Sequence, residues 1–233
     1  AIQSLPYLME YEHECAEQTF SRYYANFIAK EIISSNPKVE SVFESWKKEG
    51  KTKSKLEINE ELKSILLAET PWYFDANEES KNKRLALLFD LNTLKESSEA
   101  ILKKLEDKMM PSGGFPWFSG GNESRYITQH ILAGLGHLDK LFPNSDSDFD
   151  NITKEAIPYI DAKFIETKKL NKNYAVNYNP TDIHYLYARS FYLQQYPVSK
   201  PLDSIIKVYL ANLKKKWLDY SLYEKGMMAL IMH

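Results

Sequence analysis

Apolar positions recur along this chain at spacings of three and four, the period of a helix with one buried face. From Cys15 to Ser34 the stripe is Phe20, Tyr23, Tyr24, Phe27, Ile28 and Ile32. Pro37 opens a second helix with Val39, Val42, Phe43 and Trp46 on one face, and Gly50 fits its end. A third follows Asn59 and stops before Pro71. A long fourth begins near Lys81 and carries Leu85, Leu88, Leu94, Ile101, Leu102 and Leu105. Pro111 to Asn122 reads as a loop. Helices resume over Glu123–Leu141, Asn151–Lys169, Thr181–Tyr196 and Leu202–Tyr220, and Met227–His233 is again apolar and helical in pattern. No segment alternates at period two for long enough to predict a strand. The pattern predicts an all-α fold of about eight or nine helices. Wide apolar faces rich in Tyr and Phe suit a closed or two-layer packing of helices, not a thin coiled coil.

Composition narrows the function classes. The 233 residues are 43% hydrophobic, enough for a sizeable core. Thirty basic against 32 acidic residues leave a net charge of −2, so no global basic field gathers nucleic acid. Lys47–Lys55 holds five lysines but no interleaved aromatic, and it reads, like Lys214–Lys216, as a solvated surface. The single cysteine, Cys15, excludes an internal disulfide and a cysteine-rich zinc site. Uninterrupted apolar runs fall far short of the ~20 residues needed to cross a bilayer, so no direct membrane insertion is expected of this segment. The chain begins at Ala1 without a signal segment and stops inside an apolar helical pattern, which reads as a piece of a longer polypeptide.

One spacing carries a mechanism. Cys15-Ala16-Glu17-Gln18 sets a thiol and a carboxamide three residues apart, within one turn at a helix start. A thiolate that reaches the Gln18 carboxamide carbon can expel ammonia and leave an internal thioester, an acyl donor stored in the protein. The unpaired N–H groups of a helix start favour anionic sulfur and oxygen there. Glu17 either supports that site or simply favours the helix N-terminus by its charge, and the second role is the simpler. Read from spacing alone, Cys15 is more simply a small buried apolar residue, and a Cys and Gln three apart are a chance pairing.

The flanks add to this. Tyr11-Glu12-His13-Glu14-Cys15-Ala16-Glu17-Gln18-Thr19-Phe20-Ser21 resembles the thioester motif of the α2-macroglobulin and complement family, and Arg22-Tyr23-Tyr24-Ala25-Asn26 continues as in its bacterial members. A second block, Gly113-Gly114-Phe115-Pro116-Trp117-Phe118-Ser119-Gly120-Gly121 followed by Ser124 to Leu138, is also similar to that family, about a hundred residues downstream. The resemblance implies that 1–14 is a lead-in and 15–233 a thioester domain. It implies an α/α toroid of six helical hairpins, here truncated at its C-terminal side, within a large periplasmic or cell-surface protein, lipid-anchored or not. It implies a single-use protease inhibitor and not an enzyme: Cys15 and Gln18 form the thioester, and a lysine amine of the target protease takes the acyl group. No cofactor or metal is implied, and the partners are target proteases and the other domains of the parent chain. Glu12-His13-Glu14 replaces the family's usual Pro-Tyr-Gly, which alters the lead-in turn. No histidine corresponds to the one with which some complement members redirect the acyl group to hydroxyls, so amine preference is expected. Aromatic side chains such as Tyr11, Phe20, Tyr126 or Trp117 are expected to wall the pocket.

Other residues carry weaker signals. His184 is the nearest histidine to a transfer role, and its helical setting favours a packed one. His130 and His137, seven apart, lack a third metal ligand, and Glu17 stands where a zinc-protease motif over His13–Glu17 would need histidine. Trp72, Tyr73, Phe74, Trp117 and Phe118 read as aromatic closure of a barrel end. Asn122-Glu123-Ser124 and Asn151-Ile152-Thr153 match glycosylation acceptors that a bacterial chain does not generally use. Two other readings stay open. One is a toroid enzyme acting on glycans with carboxylates drawn from Asp90, Glu123 and Asp182. The other is a scaffold that keeps the toroid but has lost thioester chemistry.

Overall fold

Seven α-helices and one antiparallel pairing of two-residue strands make up the regular structure of a computed structural model that describes residues 15–35, 91–143, 145, 149–170 and 179–232. The order is α1 (Ala16–Ser34), α2 (Leu91–Glu106), β1 (Phe115–Pro116), β2 (Glu123–Ser124), α3 (Arg125–Leu141), α4 (Asp150–Leu170), α5 (Pro180–Ser190), α6 (Lys200–Lys215) and α7 (Leu222–Met232), with a 3-10 turn at Trp217–Asp219 before α7. The all-α expectation is met. The helices predicted from Pro37 and Asn59, the start of the fourth near Lys81, and Trp72, Tyr73, Phe74 and the Lys47–Lys55 run lie outside the described residues.

The described residues fall into two compact units, one of 25–35 and 91–101, the other of 15–24 and everything from 102 onward. In the first, Ala25, Phe27, Ala29 and Ile101 are buried. The second holds the candidate site. Its core is α3, whose apolar stripe Ile127, Ile131, Leu132, Leu135 and Leu138 is fully buried, with α4, α5 and the β1 strand packed around it. α5 also packs on α7, and α4 on α6. Phe164 of α4 stacks on Tyr185 of α5 with centroids 4.3 Å apart, and both rings are fully buried. None of the described helices is long and apolar enough to cross a membrane.

Local chemistry sets the helix ends. Ser124 caps α3, its Oγ accepting from the Ile127 N–H, and Asn179 caps α5 through the Thr181 N–H, with Pro180 in the first turn. The predicted Thr181–Tyr196 helix stops at Ser190. The chain turns there because Tyr192 is buried with its hydroxyl on the Leu132 carbonyl, while the Arg189 guanidinium holds the Tyr196 carbonyl. The predicted Leu202–Tyr220 helix ends at Lys215, after which Trp217–Asp219 tightens to 3-10.

The pairing that period-two patterning missed joins the expected loop 111–122 to Glu123 and Ser124, so the helix predicted from Glu123 starts at Arg125 instead. Phe115 faces Ser124 and Pro116 faces Glu123. Gly113 adopts φ +85, and a Cβ there would sit 2.0 Å from the Glu155 carbonyl oxygen of α4. Only glycine fits that close, left-handed turn. The Phe115 N–H donates to Thr128 Oγ1, and the Thr128 hydroxyl donates to the Ser124 carbonyl. The buried Thr128 thus fixes the hairpin to the first turn of α3.

Candidate functional site

Cys15 occupies the N-cap of α1. Its carbonyl accepts the Thr19 N–H at 3.0 Å and the Thr19 hydroxyl at 3.0 Å. Its Sγ accepts the backbone N–H of Gln18 at 3.3 Å, so the sulfur takes the role that a Ser or Asp oxygen plays in an ordinary cap. The thiol is buried and unbonded to another sulfur, while Gln18 is partly exposed. The structure therefore brings the Cys15 sulfur against the main chain of Gln18 itself.

The two sequence blocks meet at this point. The Ala16 N–H donates to the Trp117 carbonyl at 3.0 Å, which ties the start of α1 to the hairpin loop. Phe20, one turn further along α1, lies over Gly134 of α3, where an added Cβ would come within 2.2 Å of the ring. Phe20 also meets the His130 ring edge-on at 5.7 Å. Of the four aromatic residues expected to wall the pocket, Phe20, Tyr126 and Trp117 gather here, and Tyr11 lies outside the described residues. The lead-in residues Glu12, His13 and Glu14 also lie outside. Glu17 accepts the Ser21 hydroxyl at 2.9 Å in the first turn of α1, where its negative charge suits the helix dipole.

Sequence reasoning gave His130 no part in this site, yet it stands beside it. The Trp117 and Tyr126 rings stack with centroids 6.3 Å apart and 19° between planes, and Tyr126 stacks on His130 at 6.4 Å and 18°. His184 of α5 leans on the same Tyr126 at 5.5 Å. Burial pushes the His130 imidazole below its ordinary pKa, against a smaller opposing pull from the Glu17 carboxylate. His184 is pushed down to about 4, chiefly by burial and then by His130, Arg125 and His137. Both rings are neutral at pH 7. The buried Gln129 Nε2 donates to the Thr181 carbonyl at 3.0 Å and lies 3.3 Å from His184 Nδ1, which places the His184 proton on Nε2. His184 is thus packed in the helix interface, and His137 pairs with the Tyr187 hydroxyl. The signal available in the sequence was position: Tyr126, His130 and Gly134 recur at four along the helix that follows the hairpin.

Behind the site lies a buried ionic cluster. Asp182, 1% exposed, takes Arg125 Nη2 at 2.8 Å on one oxygen and the Lys168 ammonium on the other. Lys168 lies 3.9 Å over the Tyr209 ring, and Arg125 lies 5.5 Å from the ring centroids of both Phe164 and Tyr185. Burial lowers the Lys168 pKa, and its hydrogen bond and charge pairing with Asp182 oppose that. A second pair lies about two helical turns away on the same two helices, Asp161 being seven residues before Lys168 and Arg189 seven after Asp182. Asp161 accepts Arg189 Nε at 3.0 Å and the Tyr185 hydroxyl at 2.7 Å. Of the carboxylates considered for acid–base work, Asp182 is committed to two cations, Glu123 accepts the Ser112 hydroxyl at 2.5 Å, and Asp90 lies outside the described residues. Among the described residues no three His, Cys, Asp or Glu side chains gather as a metal site. No protein-family model matches the chain, and neither a curated protein nor a solved structure matches it.

Proposed function

We propose that this chain is the thioester domain of a bacterial α2-macroglobulin-like protease trap. Cys15 supplies the sulfur and Gln18 the acyl carbon. Bond formation joins Sγ to the Gln18 carboxamide carbon and releases ammonia. Attack by a lysine amine of a protease then forms an amide and returns the Cys15 thiol. Each molecule reacts once, so the protein is an inhibitor and not an enzyme. Its partners are the target protease and the other domains of the parent chain, which shield the bond until cleavage elsewhere releases it. An α/α toroid in a periplasmic or cell-surface protein is the setting that goes with this chemistry, and the packed helices around α3 are compatible with it.

The observation that carries the reading is the contact of Cys15 Sγ with the Gln18 N–H in the first turn of α1. It holds the sulfur in the same helical turn as the residue that carries the carboxamide. Support also comes from the Ala16–Trp117 hydrogen bond, which unites the two motif blocks at the reactive turn. The test is covalent capture by the full parent protein. Incubation with a protease should give a conjugate that survives boiling in detergent, and it should vanish in Cys15→Ala and after methylamine pretreatment. A conjugate that persists in Cys15→Ala would refute the proposal.

A further inference from the structure

The Lys214–Lys216 run, a solvated surface by its sequence, leads into exposed apolar side chains once folded. Every residue from Lys214 to Asp219 is exposed, and so are Ser221, Leu222 and Tyr223, with only Tyr220 buried between them. The chain therefore leaves α6 through a protruding corner. Trp217 is 53% exposed there, Leu218 68% and Leu222 88%. The corner is held from within. The Lys216 N–H donates to the Leu213 carbonyl at 3.1 Å, and the Asp219 N–H to the Lys216 carbonyl at 3.0 Å. The buried Tyr220 donates its hydroxyl to the same Leu213 carbonyl at 3.3 Å. The Ser221 N–H and hydroxyl both donate to Glu224 Oε2, at 2.8 and 2.7 Å, which fixes the first turn of α7 and with it Leu222 and Tyr223. Lys225 Nζ lies 5.9 Å over the Trp217 ring, so the two sides of the corner meet.

Charge and apolar area together select the partner. Lys214, Lys215, Lys216 and Lys225 bring four ammonium groups to the corner. Against them stand the exposed Asp219 and the buried Glu224, whose carboxylate is taken up by Ser221. The excess is positive, so the surface that fits is anionic. A soluble acidic protein fits poorly, because lysine is depleted from protein interfaces. Nucleic-acid bases stack on rings, and Leu218 and Leu222 offer them no such platform. A bilayer with anionic headgroups matches every part. The leucines and the indole body enter the boundary of the acyl chains, while the indole N–H stays among the headgroups. The lysines lay their stems along apolar surface and keep their ammonium groups at the phosphates.

We infer that the corner from Lys214 to Tyr223 is a peripheral docking site for an anionic lipid bilayer. The chain lies against one leaflet there, with no spanning helix. The site needs neither Cys15 nor Gln18, so it goes beyond the thioester reading and stands or falls separately from it.

Cosedimentation of the full parent protein with sucrose-loaded vesicles tests this. Vesicles of phosphatidylcholine and phosphatidylglycerol at about 2:1 should bind it, and vesicles of phosphatidylcholine alone should not. A lysine near such a surface strengthens binding about fivefold, so Lys214→Gln/Lys215→Gln/Lys216→Gln should bind about a hundredfold more weakly. Trp217→Ser/Leu222→Ser keeps the charge and should lose about tenfold. All five positions are exposed, so both variants should melt with the wild type. Equal association with the two kinds of vesicle, or association that the lysine variant leaves unchanged, would overturn the site. So would unchanged association in Trp217→Ser/Leu222→Ser, or equally tight binding of soluble polyglutamate or polyuridylate, since either result describes a patch that reads charge alone. Cys15→Ala should bind vesicles as the wild type does. Vesicle binding without protease conjugates would fault the thioester reading alone, and conjugates without vesicle binding would fault the docking site alone.

Discussion

Replacing Asp182 by asparagine should cost the fold about 3 kcal/mol at neutral pH. Among the described residues the carboxylate is the one anion in salt-bridge reach of Lys168 and Arg125, whose side chains are 4% and 13% exposed. Removing one member of a buried ion pair leaves its partner's charge uncompensated, at a cost of about 3–5 kcal/mol. The lower end applies because Lys168 has an escape. Burial already lowers its pKa, and Asp182 is what opposes that shift. Without the carboxylate the folded-state value falls further, and the amine sheds its proton more readily. A lysine with a depressed folded pKa is carried at a penalty while protonated. That penalty fades as pH rises from the folded value toward the unfolded one near 10.4. Urea titration of the wild type and Asp182→Asn at intervals from pH 7 to 10 should therefore show a deficit that narrows with pH. In heat the deficit amounts to a fall of about 6–12 °C in Tm at neutral pH. A variant within about 0.5 kcal/mol of wild type at pH 7 would show that the cluster carries no buried charge. So would a deficit that stays constant up to pH 10.

Acid should weaken the same unit through His184, whose folded value of about 4 lies below its ordinary 6.5. The neutral ring's contribution is full above the unfolded value and is lost as pH falls from 6.5 toward 4. That is about 3 kcal/mol in all, read as a slope of stability on pH that His184→Gln flattens. Gly134→Ala should destabilise by about 1–3 kcal/mol, because its Cβ would meet the Phe20 ring at 2.2 Å. Phe20→Leu in the same chain should recover part of that loss, giving a favourable coupling in a double-mutant cycle. Thr128→Val should cost about 1–3 kcal/mol in a denaturant titration, since it leaves the buried Phe115 N–H without its acceptor.

Helical periodicity exposed the architecture readily, because burial along α1, α3 and α4 is governed by the side chains that repeat on one face of each helix. The ends were less legible. The helix from Thr181 closes at Ser190 because Tyr192 and Arg189 find partners on Leu132 and Tyr196, contacts that no local pattern announces. The β1–β2 pairing is too short for alternation to show, and its positions are set by Gly113, Thr128 and Ser124. At the candidate site, Cys15 and Gln18 were readable as neighbours because only one helical turn separates them. Trp117, Tyr126 and Phe20 followed from the second motif block and from aromatic residues flanking the first. His130 escaped because its place beside Phe20 and Tyr126 depends on how α1 lies across α3. The ionic cluster escaped for the same reason: Arg125, Lys168 and Asp182 come from three helices.

The central claim concerns a bond between the Cys15 sulfur and the Gln18 acyl carbon, and intact mass reads it directly. Full parent protein, prepared cold and near neutral pH, should be lighter than its sequence by one ammonia. Methylamine should then add its whole mass and leave Gln18 as the N-methyl amide, with Cys15 newly reactive toward alkylating agents. A parent of full sequence mass, alkylated at Cys15 at once and unchanged by methylamine, would contradict the account.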